Sequence, residues 1–143
     1  MQCFVFQDWL TLRGSTSAAA SVTQTESAWL DLSAYQDVVA WLDVREVTPP
    51  TSGGTLYLDL QSGPAKDEAY FTSLVNQPGT STTGIALAAN TGSPTTQRLL
   101  HDAGAYTPLS RWMRWVVSTN GVNPTQQWDV TFRILLAVSY ALR

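Results

Sequence analysis

Apolar and polar side chains alternate with period two along most of this chain, the pattern of strands that bury one face. Residues 36–48 put Val38, Ala40, Leu42 and Val44 on one side and Asp37, Val39, Trp41, Asp43 and Arg45 on the other. Residues 127–138 set Trp128, Val130, Phe132, Ile134, Leu136 and Val138 against Asp129, Thr131 and Arg133. Met113, Trp115 and Val117 alternate within 111–119, and Leu56, Leu58 and Leu60 within 55–61. Runs at 3–13, 27–32, 69–75, 84–89 and 95–101 read as further strands.

The breaks between these runs are rich in proline and glycine. Pro49-Pro50-Thr51-Ser52-Gly53-Gly54, Ser62-Gly63-Pro64, Asn76-Gln77-Pro78-Gly79 and Asn90-Thr91-Gly92-Ser93-Pro94 are turn chemistry, as is Asn120-Gly121-Val122-Asn123-Pro124. The small, polar segment 14–25 (GSTSAAASVTQT) reads as an extended loop or arm. Long helical periodicity is absent. The expectation is one all-β domain spanning 1–143: an antiparallel β-sandwich of about eight strands, which suits a jelly roll. The order of the strands is not written in the alternation.

Composition narrows the chemistry. Of 143 residues, 44% are apolar and only 13% charged, against about 25% charged in an average soluble domain. Net charge is −3 with eight Lys plus Arg, so the cationic footprint of a nucleic-acid binder is lacking. No apolar run approaches the ~20 residues of a membrane-spanning helix. No basic segment leads into an apolar one at the start, so no secretory signal is visible. A lone cysteine, Cys3, rules out an internal disulfide, and a lone histidine, His101, rules out paired-histidine metal sites. The domain is expected to fold without metal, disulfide or cofactor, and to be made in a reducing cytoplasm.

Few residues offer reaction chemistry. His101 and Asp102 with Ser110 hold the residue types of a hydrolase triad, but neighbours on an extended segment point apart, and no G-x-S-x-G elbow exists. Asp67 and Glu68, with Asp59, are oxygen donors of the kind calcium takes. They follow Gly63-Pro64-Ala65-Lys66, which makes a solvated turn the plainer reading. Arg45, Arg111, Arg114 and Arg133 sit on strands, where an arginine pairs with a cross-strand carboxylate such as Asp43 or Asp129, or meets an acidic partner. Neither an enzyme active site nor a glycine-rich nucleotide loop emerges.

The tryptophans say more. Trp9, Trp29, Trp41, Trp112, Trp115 and Trp128 cannot all enter one core: Trp112 and Trp115 have opposite parity, and Trp41 opposes Val38, Ala40, Leu42 and Val44. Outward aromatic side chains need cover from the chain itself or from a partner. Trp41, Trp112, Arg45 and Arg114 are therefore the candidate interface residues.

Two stretches carry a resemblance. The hairpin LYLDLQSGPAKDEAYFTSL (56–74) and the closing unit SRWMRWVVSTNGVNPTQQWDVTFRILLAV (110–138) resemble hairpins of the jelly-roll cement or decoration proteins of tailed bacteriophages. That resemblance implies a structural virion protein on the outside of an icosahedral capsid, made in the host bacterial cytoplasm. It implies the major capsid protein of the shell as partner, with self-association between copies, and neither nucleic acid nor membrane. Two alternatives stay open: a carbohydrate-binding β-sandwich that uses outward Trp side chains, and a tail or baseplate structural protein.

Overall fold

The computed structural model describes residues 2–15, 21–50, 54–74, 84–89, 97–103, 109–120 and 127–140. Its strands, in chain order, are β1 (Gln2–Ser15), β2 (Ser21–Thr23), β3 (Leu30–Asp31), β4 (Tyr35–Thr48), β5 (Leu56–Gly63), β6 (Thr72–Ser73), β7 (Ile85–Leu87), β8 (Gln97–Ala103), β9 (Trp112–Thr119) and β10 (Gln127–Tyr140). Short 3-10 turns at Glu26–Ala28 and Glu68–Tyr70 are the helical elements among the described residues. All strand pairs are antiparallel.

One sheet has the order β1-β10-β4-β8. The other runs β2-β9-β5-β6, with β3 also on β9 and β7 also on β5. Because β2 and β3 lie end to end along β9, they form one interrupted strand; β6 and β7 do the same along β5. Counted so, there are eight strand positions, and the pairs are first with eighth, second with seventh, third with sixth and fourth with fifth. One long hairpin, folded over itself, gives this pairing, and it defines a jelly roll.

The alternation places the core between the sheets. Val38, Ala40, Leu42 and Val44 face inward together with Trp128, Val130, Phe132, Ile134, Leu136 and Val138. Leu56, Leu58, Leu60, Met113, Trp115 and Val117 line the opposing sheet. The Trp115 ring meets Phe132 edge to face across the layer, with centroids 5.2 Å apart. Its indole N–H donates to Gln7 Oε1 at 3.0 Å, so the one polar atom that Trp115 brings into the interior is satisfied.

Bulges adjust the rows where strict alternation would misplace a side chain. Thr131 pairs with Glu46 but Phe132 with Val44, so Arg45 is an extra residue on β4. This shift by one returns Val47 to the core, where it is fully buried. In β1 the register slips between Val5 and Gln7 and again between Gln7 and Leu10.

Several segments differ from the expectation, and the strand expected over 84–89 is confined to Ile85–Leu87. In 27–32 only Leu30–Asp31 is strand, and among the described residues of 69–75 only Thr72–Ser73. Each is preceded by a 3-10 turn; Asp67 caps the second by accepting from Ala69 N at 3.0 Å. A run of two or three alternating residues fits such a turn as well as a strand, and at Glu68–Tyr70 the Asp67 cap favours the turn. Segment 14–25, expected as a loop or arm, supplies the end of β1 (Gly14 and Ser15 opposite Trp128 and Gln127) and the whole of β2. The β-forming Val22 and Thr23 find pairing partners on β9, Val117 and Val116.

Candidate functional site

Each sheet turns a second face outward, and the candidate residues divide between them. On the β1-β10-β4-β8 sheet, register sets Trp41 beside Leu135, and Leu135 beside Val5, an apolar row across three strands. The next row is Val39, Ala137 and Cys3. On the far side of Trp41, Asp43 pairs in register with Arg133, and the two side chains form an ion pair. Asp43 is almost fully buried, and Arg133 keeps about 29% of its side chain exposed. The bulge in β1 brings Trp9 alongside, with the guanidinium carbons of Arg45 and Arg133 4.2 and 4.8 Å from its ring centre. Between the apolar rows and the ion pair lies an open hollow of about 510 Å³, lined by Cys3, Val5, Trp41, Asp43, Arg133 and Leu135 among others.

The other outer face is covered by its own chain. Arg114 lies 4.0 Å from the centre of Phe71 and 5.1 Å from that of Trp29. Those two rings meet edge to face at 4.8 Å. Lys66 sits 4.4 Å over Trp112, and Arg111 approaches the same ring at 5.2 Å. Hydrogen bonds hold the covering segments: Trp29 Nε1 donates to Gln24 O at 2.8 Å, and Arg114 Nε to Gln61 Oε1 at 3.0 Å. Arg114 Nη1 reaches Glu68 at 3.3 Å and Arg111 Nη2 reaches Asp31 at 3.2 Å. The backbone N–H of Ser33 donates to Asp31, and this with the Arg111 side chain lowers the Asp31 pKa below the ordinary aspartate value.

Of the four expected interface residues, Trp41 and Arg45 lie on the first face, and Trp112 and Arg114 on the second. Arg114 does not present a free charge: its side chain is only 7% exposed and is held by Glu68, Gln61 and two rings. Strand parity identified it as outward-facing, but the Lys66–Phe71 segment folds over it. Arg133 pairs with its cross-strand carboxylate Asp43, whereas Arg111 and Arg114 pair with Asp31 and Glu68 instead.

The remaining chemistry does not converge. His101 and Asp102 hold successive register positions on β8, opposite Ala40 and Val39, while Ser110 donates its backbone N–H to Ser62 in the other sheet. Asp59 is buried and accepts from Ser73 Oγ at 2.5 Å and from Gln61 at 3.0 Å. Asp67 is engaged in its cap and Glu68 with Arg114. Among the described residues no group of three metal-ligating side chains comes together. Sequence reasoning missed the Trp9–Arg45–Arg133 stack, because two bulges make it and strict alternation cannot foresee them.

The pairing of the eight strand positions places the chain in the jelly-roll class of β-sandwich used by viral capsids and lectins. No family model and no curated protein matches the sequence. The fold does match solved capsid structures. A structure of the Gt strain of infectious bursal disease virus superposes with a TM-score of 0.53 at 12% identity, over 96% of this chain and 32% of the other. The VP2 subviral particle of infectious bursal disease virus gives a TM-score of 0.50 at 11% identity, over 97% and 32%. The chain thus spans about a third of the length of these neighbours. At such identity the likeness is one of fold.

Proposed function

We propose that this chain is a structural protein of a virion, and within that class one that binds the outside of an icosahedral phage capsid and ties neighbouring major capsid protein subunits together. The observation that carries the reading is the jelly-roll pairing, matched over 96% of the chain by a capsid protein fold. The hairpins at 56–74 and 110–138, which resemble those of phage decoration proteins, favour the cement role within it. Attachment of this kind works by repetition: many copies on a symmetric shell turn modest contacts into strong retention through effective concentration.

Cryo-electron microscopy of purified particles tests the proposal. Density for a jelly roll on the outer capsid surface, bridging adjacent shell subunits and lost on deleting the gene, is the expected result. Particles that lack the chain, or carry it only on the tail, overturn it.

A further inference from the structure

We propose that the outer face of the β1-β10-β4-β8 sheet docks a second copy of this chain, face to face, about a two-fold axis that runs along the Trp41–Leu135–Val5 row. That row is the apolar centre of the face: Val5 is 52% exposed, and Trp41 and Leu135 are half-buried beside it. The opposite outer face is covered by its own chain, whereas this one opens into the hollow at Trp41.

The charges on either side of the row select the occupant. Toward one end of the strands stand Asp37, exposed and in register with Ser139, and Asp102, at the β8 position beside Val39. Toward the other end, Asp43 shares a row with Arg133 and with the β8 position of Arg98, two guanidinium groups against one carboxylate. Arg45 and Glu46 follow at the bulge, both exposed, and their charges cancel. Asp8, in the β1 bulge, accepts from the backbone N–H of Trp9 at 2.8 Å. The face is thus acidic on one side of its apolar row and basic on the other. A copy turned by 180° about the row lays the acidic side of each over the basic side of its partner. It also sets Trp41, Leu135 and Val5 against their own counterparts, and Asp37 against the partner's Arg45. The Asp43–Arg133 ion pair stays intact in this arrangement. An unrelated partner would have to bring the inverse pattern, whereas a copy brings it by symmetry. Four strands about 4.8 Å apart, followed for about 3.4 Å per residue from Asp37 to Arg45, outline roughly 500 Å². This is less than the ~800 Å² per partner of a standard interface, so the dimer is a weak one. It stands apart from the capsid reading and needs no particle to be tested.

Analytical ultracentrifugation of the free protein is the test, over about 10 μM to 1 mM, a range that spans weak affinities. The average mass is expected to rise with concentration from 15.6 kDa toward twice that value. Val5→Glu sets two carboxylates against each other on the axis and should weaken the dimer by about tenfold or more. Tyr70→Glu, at an exposed position on the segment that covers the other sheet, should leave it unchanged. Asp37→Arg and Arg45→Asp, both at exposed positions, should each weaken it by about fivefold, because each sets like charges together in two symmetric pairs. Combining the two reversals should restore the original affinity. The proposal is overturned if the protein stays monomeric at the highest concentration. A dimer that Val5→Glu leaves intact uses another surface, and this also overturns it. If the double reversal binds no tighter than either single one, Asp37 does not meet the partner's Arg45 and the two-fold arrangement fails.

Discussion

The two outer faces of the sandwich carry similar residue types and have different fates. Both present tryptophans beside arginines: Trp9 with Arg45 and Arg133 on one sheet, Trp112 with Arg111 and Trp29 with Arg114 on the other. On the β2-β9-β5-β6 sheet, the segments at 24–31 and 64–71 fold across, so cations and rings interleave and Arg114 becomes buried. On the β1-β10-β4-β8 sheet the same kinds of side chain border an open hollow, with Val5 about half exposed at its edge. An outward aromatic on a strand therefore defines a need for cover. Whether the chain meets that need itself depends on loops far away in sequence.

The largest effect should come from the layer that both faces share. Phe132→Ala removes a fully buried ring that meets Trp115 across the core, and is expected to cost about 3–5 kcal/mol in urea unfolding. Thr131→Ala, one residue away on the outward side, loses an exposed hydroxyl contact with Thr11 and should cost about 0.5–1 kcal/mol. Equal costs at the two positions would mean that inner and outer faces are not distinct.

The next test sets the covered face against the open one. Arg114→Ala removes a buried guanidinium from two rings and two hydrogen-bonding partners, and should destabilise by about 2–3 kcal/mol. Arg45→Ala, at an exposed position beside the Trp9 ring, should cost about 0.5–1 kcal/mol. If Arg45 proved the costlier loss, the division into covered and open faces would be reversed. The tryptophans repeat the comparison at smaller amplitude. Trp29→Ala forfeits Phe71, Arg114 and its bond to Gln24 for about 2 kcal/mol, and Trp41→Ala about 1 kcal/mol, read from the same urea transitions.

Most of the fold was legible in the alternation. The rows from Val38 to Val44, Trp128 to Val138 and Met113 to Val117 are buried as their spacing requires, because period two on a half-buried sheet has one solution. Trp115 and Trp128 went to the core, and the other four tryptophans stayed partly exposed. Three things were not legible. Pairing order depends on contacts between residues up to about a chain length apart, such as Gln2 with Val138. The bulge at Arg45 shows only in Val47 arriving three residues after Val44 rather than two. The burial of Arg114 depends on a turn capped by Asp67, and the parity of β9 carries no trace of it. The candidate site was half legible for the same reason: Trp41 follows from parity, but the hollow beside it requires Val5 and Cys3 from the other end of the chain.

The smallest effect concerns Asp31, at the border of the covered face. Its pKa is lowered first by the backbone N–H of Ser33 and then by the Arg111 side chain. A carboxylate whose folded pKa lies below its unfolded value favours the native state above the unfolded pKa. That contribution fades as pH falls through the folded value. Carbon-detected NMR titration of the Asp31 carboxyl should therefore give a midpoint below that of an ordinary aspartate. Arg111→Gln should move the midpoint up only part of the way, since the Ser33 amide still donates at 2.9 Å. Added salt should move it less than the substitution does, because a direct backbone hydrogen bond is screened far less than an exposed ion pair. A midpoint fully restored by Arg111→Gln would make Asp31 a simple surface ion pair. The turn at Ser33 would then have no part in holding β3 against β9.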